Sequence, residues 1–288
     1  MRVKSTVILA SLLLCSTALA DAPRHRLSLS TSADNDSGRD AGVSYQLSTD
    51  GFGFFVGAYE TDFAATFFDV DSRSFADSVD GQRYIGGMDA YFGDWGLHVG
   101  ATLSDSEDGL EKDTLRFGLS YTGDRSNIRL QALSIEASQP LIVIASLNPL
   151  QLRRVEDERD GTGFSVDASW FLNENWMLMG DVQRVWYDDP LAFISRDRFD
   201  VRTPLNSAQR LIKWSAAGGV TWFDEEVAAS VMVETLAEQD DDLRTTSIFA
   251  SLDVPLVANF SVGFVVGYSS TEDDASTAFG GIDLSVSF

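Results

Sequence analysis

Chemistry near neutral pH needs a group that exchanges a proton, or a nucleophile that a neighbour activates, and this chain of 288 residues offers few of either. His25 and His98 are its only histidines, and Cys15 is its single cysteine. His98 shares an alternating face with Thr102 and Ser104, so a His–hydroxyl pair is the nucleophilic arrangement to look for. More numerous are charges of both signs at alternate positions among Ser and Gly: Arg26, Asp89, Arg116, Arg129, Asp167, Asp181, Lys213 and Glu234. Such residues on one face suit the steering of ions better than covalent work. The acidic runs "SDSEDGLEKD" (104–113), "EQDDDL" (238–243) and "TEDDAS" (271–276) lack the Gly and distal Glu of an EF-hand loop, so the expectation is no metal and no cofactor.

The elements that carry these residues have a period of two. In "TGFSVDASWFL" (162–172), Phe164, Val166, Ala168, Trp170 and Leu172 share one face, and Gly163, Ser165, Asp167 and Ser169 the other. In "NFSVGFVVGYSS" (259–270), Phe260, Val262, Phe264, Val266 and Tyr268 alternate with Ser261, Gly263, Gly267 and Ser269, Val265 being the exception. Helical spacing is not sustained anywhere. Roughly fourteen such segments fit the chain, near 26–32, 42–49, 52–60, 82–92, 95–105, 113–122, 126–136, 162–172, 175–187, 210–223, 226–236, 244–254, 259–270 and 276–288. Short breaks such as "GDW" and "NEN" alternate with long ones at 33–41, 61–81, 106–112, 137–161, 188–209, 237–243 and 271–275. That asymmetry belongs to an all-β, transmembrane, antiparallel up-and-down β-barrel of about fourteen strands, with twelve or sixteen also compatible. Mean hydropathy near zero agrees, because lipid-facing and lumen-facing side chains cancel, and no apolar run of 18 residues follows the first twenty positions.

Those first residues, with Arg2 and Lys4, an apolar run from Val7 to Leu14 and the small-x-small site Ala18-Leu19-Ala20, read as a signal peptide over 1–20 that is cleaved, leaving a single domain over 21–288. The whole-chain charge is −23, and subtracting the two leader cations makes the remainder −25. With no basic patch, nucleic acid is excluded as a partner.

Aromatic residues fall at both ends of the predicted strands: Trp95, Tyr121, Trp170, Trp176, Trp222, Phe260 and Phe288 beside short turns, and Trp186, Trp214 and Tyr268 toward the long loops. Girdles at the headgroup level need this placement. The final stretch "GGIDLSVSF", with Ile282, Leu284, Val286 and Phe288 on one face, resembles the C-terminal signature of bacterial outer-membrane β-barrel proteins, the porin-like superfamily. The resemblance implies location in the outer membrane of a Gram-negative bacterium, and delivery by periplasmic chaperones to a barrel-assembly machinery that reads those four residues. It also implies contact with outer-membrane lipid and lipopolysaccharide. It does not say what passes through the barrel.

A wall of about fourteen strands lined by Ser, Gly and charges leaves room for water, so the sequence reads as a porin-like channel for passive diffusion of small hydrophilic solutes. Arg26, Asp89, His98, Arg116, Arg129, Asp167, Asp181, Lys213 and Glu234 are the pore-lining residues of that reading. The apolar segment 138–152, followed by Arg153 and Arg154, either folds inward as a constriction loop, extends its strands, or rests on lipid. A plugged barrel that scaffolds surface loops is the alternative. A lipid hydrolase is a third, and it is disfavoured because His98 sits three residues past the short turn at 93–95, far from outer-leaflet substrates. The expectation is therefore a protein that is not an enzyme.

Overall fold

A computed structural model describes residues 24–35, 38–68, 74–106, 111–147, 150–188, 211–224, 227–238, 244–257, 259–272 and 276–288. The leader at 1–20 and most of the 188–209 segment lie outside them. Fourteen strands follow in chain order: β1 (Arg24–Asp34), β2 (Arg39–Ser48), β3 (Phe52–Phe68), β4 (Ser74–Phe92), β5 (Trp95–Ser106), β6 (Glu111–Thr122) and β7 (Ser126–Leu147). The second half adds β8 (Leu150–Phe171), β9 (Trp176–Tyr187), β10 (Ile212–Phe223), β11 (Ala228–Glu238), β12 (Arg244–Val257), β13 (Phe260–Thr271) and β14 (Thr277–Ser287). Each pairs antiparallel with its neighbours in sequence, and β1 pairs with β14 from Arg26↔Ser287 to Asp34↔Phe279, which closes the barrel. Closure gives every strand two partners and removes the open edge that hydrocarbon does not tolerate.

The alternation sets which face goes where, because a one-residue slip would turn every side chain over. Large apolar residues stand exposed on the outside, among them Leu29, Met88, Phe117, Leu130, Trp170, Val266 and Tyr268. The buried residues are largely polar and face inward: Ser28, Thr61, His98, Ser120, Thr221, Ser247, Ser269, Thr277 and Ser285. This inverts a water-soluble fold and matches a surface wetted by lipid. On the inside, hydroxyls pair across strands, as in Ser247–Ser269 at 3.1 Å, Thr245–Thr271 at 2.9 Å and Thr221–Ser230 at 2.9 Å.

Two expectations change. The spans 61–81 and 137–161 are not loops for most of their length. β3 and β4 stay paired to Phe68↔Ser74, and β7 and β8, of 22 residues each, to Leu147↔Leu150. Past Ser138, where β6 ends its pairing, β7 and β8 continue as a two-stranded arm. The inner wall is also less uniformly small than Ser and Gly suggest. Phe55, Tyr59, Tyr187 and Phe279 point inward, and their rings lie over glycines. A Cβ on Gly267 would come within 2.2 Å of the Phe279 ring, one on Gly87 within 2.5 Å of Phe55, and one on Gly42 within 2.2 Å of Tyr59. Glycine here gives a ring its seat on the neighbouring strand, the arrangement in which an aromatic covers a glycine in a curved sheet.

Candidate functional site

The inner wall is built rung by rung. One continuous row of paired residues runs Ser120, Arg129, Asp167, Asp181, Ala217, Glu234 and Ser247 across β6 to β12. Arg129 therefore faces Asp167 on the next strand, and Asp167 faces Asp181. Ala217 alone separates Asp181 from Glu234, whose Oε2 is buried without a hydrogen-bond partner among the described residues. Arg116 donates to Thr102 Oγ1 at 2.7 Å and lies in the field of Asp167. Arg26 donates to Ser285 Oγ at 3.0 Å and lies in the field of Asp283. Lys213 sits at the irregularity between Ile212 and Trp214 where β10 loses register with β11.

Cations outnumber acids on one arc of the wall and acids outnumber cations on the other, with Asp89 on β4 and Arg26 on β1 as exceptions. Arg83, Lys112, Arg116, Arg129 and Arg159 occupy β4 to β8, whereas Asp167, Asp181, Glu234, Asp253 and Asp283 occupy β8 to β14. Opposed charges across a water-filled lumen create a transverse field, one of the means by which pores select solutes.

His98 is fixed from both sides. Its Nδ1 meets Asp89 Oδ1 and its Nε2 meets Ser120 Oγ at 2.7 Å. An ionised carboxylate only accepts, so Nδ1–H donates to Asp89 and Nε2 accepts from the Ser120 hydroxyl. Tyr91 packs its ring edgewise on the imidazole, 6.1 Å between centroids. The atom order is that of a charge-relay triad. An acyl-transfer site also needs free N–H groups aimed at a developing oxyanion. The backbone of Ser120 is instead paired on both sides, with Gly96 and Arg129. What the chain Asp89–His98–Ser120 does in this geometry is tie β4, β5 and β6 together through buried polar groups.

Of the residues anticipated from sequence, Arg26, Asp89, His98, Arg116, Arg129, Asp167, Asp181 and Glu234 take inward register positions, with Arg129, Asp167, Asp181 and Glu234 on one row. Arg153 and Arg154 belong to the backbone of β8, opposite Val143 and Ile142 in the β7–β8 arm, so the segment 138–152 extends its strands and does not form an inward-folded loop. Ile282, Leu284 and Val286 face outward on β14, and Phe288 ends the seam with β1.

The sequence reading passed over Arg83, Lys112, Arg159 and Ser104 as a group. Lys112 was placed in an acidic loop and Arg159 in a long one. The available signal was that the two-residue period runs on without a break, from Arg116 back through Thr114 to Lys112, and from Gly163 back through Gly161 to Arg159. An inward apolar cluster of Leu133, Ile135 and Val185, with Tyr187 against it, was also missed.

No family model matches the chain, and no curated protein matches it in sequence. Its fold is that of bacterial outer-membrane β-barrels. A monoaromatic hydrocarbon channel, CymD, superposes with a TM-score of 0.57 at 10% identity, over 93% of this chain and 88% of that one. The Pseudomonas putida toluene transporter TodX gives 0.52 at 10% identity, over 94% and 91%. A Pseudomonas aeruginosa FadL homologue gives 0.50 at 8% identity, over 92% and 88%.

Proposed function

We propose that this barrel is a channel of the outer membrane that passes small hydrophilic solutes by passive diffusion along its polar inner wall. The observation that carries the reading is the row Arg129, Asp167, Asp181 and Glu234, charged residues interrupted only by Ala217 on the inside of a closed sheet. Desolvating such groups is steeply unfavourable, and water in the lumen removes that cost. The channels CymD and TodX, similar in fold, are consistent with transport as the task. In this reading residues 1–20 are an export leader removed in transit, and periplasmic chaperones and the assembly machinery handle the chain before insertion. Its outer face then rests in lipid and lipopolysaccharide. The Asp89–His98–Ser120 chain is a structural lock, and the protein is not an enzyme.

The inward rings of Phe55, Tyr59, Tyr187 and Phe279 favour one other reading, a narrowed and non-conducting barrel that presents the β3–β4 and β7–β8 arms. Swelling of liposomes containing the refolded protein, driven by neutral sugars of increasing size, separates the two. Swelling that falls off with sugar size supports the channel. Liposomes that hold folded barrel and do not swell with any sugar support the scaffold.

A further inference from the structure

Four cations gather at one place on the inner wall. Arg83, Ser104, Lys112, Ala137 and Arg159 are successive partners on a single row across β4 to β8. Arg116 lies two inward positions from Lys112 on β6, past Thr114, and Lys112 stands in the repulsive fields of both Arg116 and Arg83. Lys112 and Arg159 are buried. Like charges held together away from water repel strongly, because little dielectric screening reaches them. Asp40 lies 3.9 Å from Arg83, and Arg116 stands in the field of Asp167.

A second observation points to what the cluster receives. Ser104, between Arg83 and Lys112 on the row, is 5% exposed, and its Oγ has no hydrogen-bond partner among the described residues. The Nε of Arg83 is buried and equally unpartnered. The Arg83 Nε–H can only donate and the Ser104 hydroxyl is able to donate, so a single acceptor satisfies both. The guanidinium is already held in place, 4.6 Å above the centre of the Tyr59 ring. A preset fork of N–H donors beside a hydroxyl and an ammonium fits an oxyanion, which Arg binds in two-pronged fashion.

We propose that Arg83, Ser104, Lys112 and Arg116, with Arg159 at the end of the row, form a lumenal binding site for the carboxylate or phosphate group of a solute. The inference deepens the channel reading and rests on it: a chain of net charge −23 then favours anions at this point on its wall. Asp167, Asp181 and Glu234 lie farther round the circumference and repel the same ligand, which confines it to the cationic side.

The test uses the refolded barrel in detergent, titrated calorimetrically with inorganic phosphate and, separately, with succinate. Wild type binds at least one of the two saturably in the millimolar range or tighter, and the tighter ligand tells whether phosphate or carboxylate solutes are the source. Lys112→Gln and Arg83→Gln weaken binding at least tenfold, Ser104→Ala weakens it severalfold, and Arg125→Gln in the 123–126 turn leaves it unchanged. Heat-modifiable mobility on gels verifies that each variant is folded. Folded wild type that binds neither ligand, or a folded Lys112→Gln and Ser104→Ala pair that binds as wild type does, overturns the site. Binding by a barrel that fails to conduct overturns the channel reading and leaves the site standing; conduction without binding does the reverse.

Discussion

His25 and Phe288 lock the seam of the barrel. Each backbone N–H of the pair donates to the other's carbonyl at 3.0 Å, and the two rings stack with centroids 5.4 Å apart and planes 7° from parallel. The Tyr45 hydroxyl holds His25 Nδ1 at 2.7 Å, so β2 joins the same contact. Aromatic contacts of this kind contribute about 1 kcal/mol beyond area. Phe288→Ala therefore lowers stability by at least that amount, and deleting Phe288 also removes the two backbone bonds. The fraction of protein that gains heat-modifiable mobility on insertion into liposomes falls in the order wild type, Phe288→Ala, deletion.

Adjacent residues on β7 test the two faces. Leu130 stands exposed on the outside and Gln131 faces inward, where its Oε1 accepts from Ser165 Oγ at 3.2 Å. Arginine on the lipid face near the midplane costs about 2–4 kcal/mol. Leu130→Arg loses stability of that order in urea titrations of the liposome-bound protein, while Gln131→Arg loses no more than about 1 kcal/mol, the worth of one hydrogen bond.

The buried relay makes a sharper claim about His98. Removing its ring leaves the Ser120 hydroxyl without its imidazole partner and Asp89 with only the Tyr91 hydroxyl, at about 1–3 kcal/mol for each group that loses a bond. His98→Ala is accordingly destabilised by several kcal/mol, more than Ser120→Ala. A fluorophosphonate probe does not label Ser120 in the folded wild type. Covalent labelling that disappears in both Ser120→Ala and His98→Ala would assign the relay a hydrolytic role instead.

Glycine seats under inward rings give a prediction in two parts. Gly267→Ala drives its new methyl into the Phe279 ring and destabilises by about 1–3 kcal/mol, the usual cost of overpacking. Phe279→Ala in the same chain relieves the clash, so the double variant is more stable than the sum of the single losses predicts. Additive losses would mean that Phe279 does not lie where the structure places it.

How much of this was legible follows from what each residue touches. Wherever a strand has lipid on one side and lumen on the other, as at 162–172 and 259–270, the alternation reads directly, and the strand count of fourteen agrees with it. Even Val265, the apolar exception on the polar face of its strand, falls inward as the period requires. The segment 150–161, "LQLRRVEDERDG", lost the signal for a physical reason. Most of it lies beyond the last rung shared by β6 and β7, in a ribbon whose strands pair only with each other, so its sequence has no apolar face to declare. Lys112 and Arg159 were hidden differently: beside acidic neighbours each looks like part of a solvated loop, and only the register puts them on one row with Arg83. Gly267 reads in the sequence only as small lining, because the Phe279 ring that covers it comes from the neighbouring strand. His98 was recognised, but its partners Asp89 and Ser120 come from the strands on either side.

Planar-bilayer conductance tests the central claim most directly. The refolded protein, shown by heat-modifiable mobility to be closed, is added at low concentration to a membrane in potassium chloride. Discrete, uniform current steps are predicted, with conductance that changes in Lys112→Gln and Glu234→Gln because both side chains face the lumen. A preparation that is demonstrably folded and inserted, yet gives no steps at any voltage the membrane survives, would contradict a water-filled passage through this barrel.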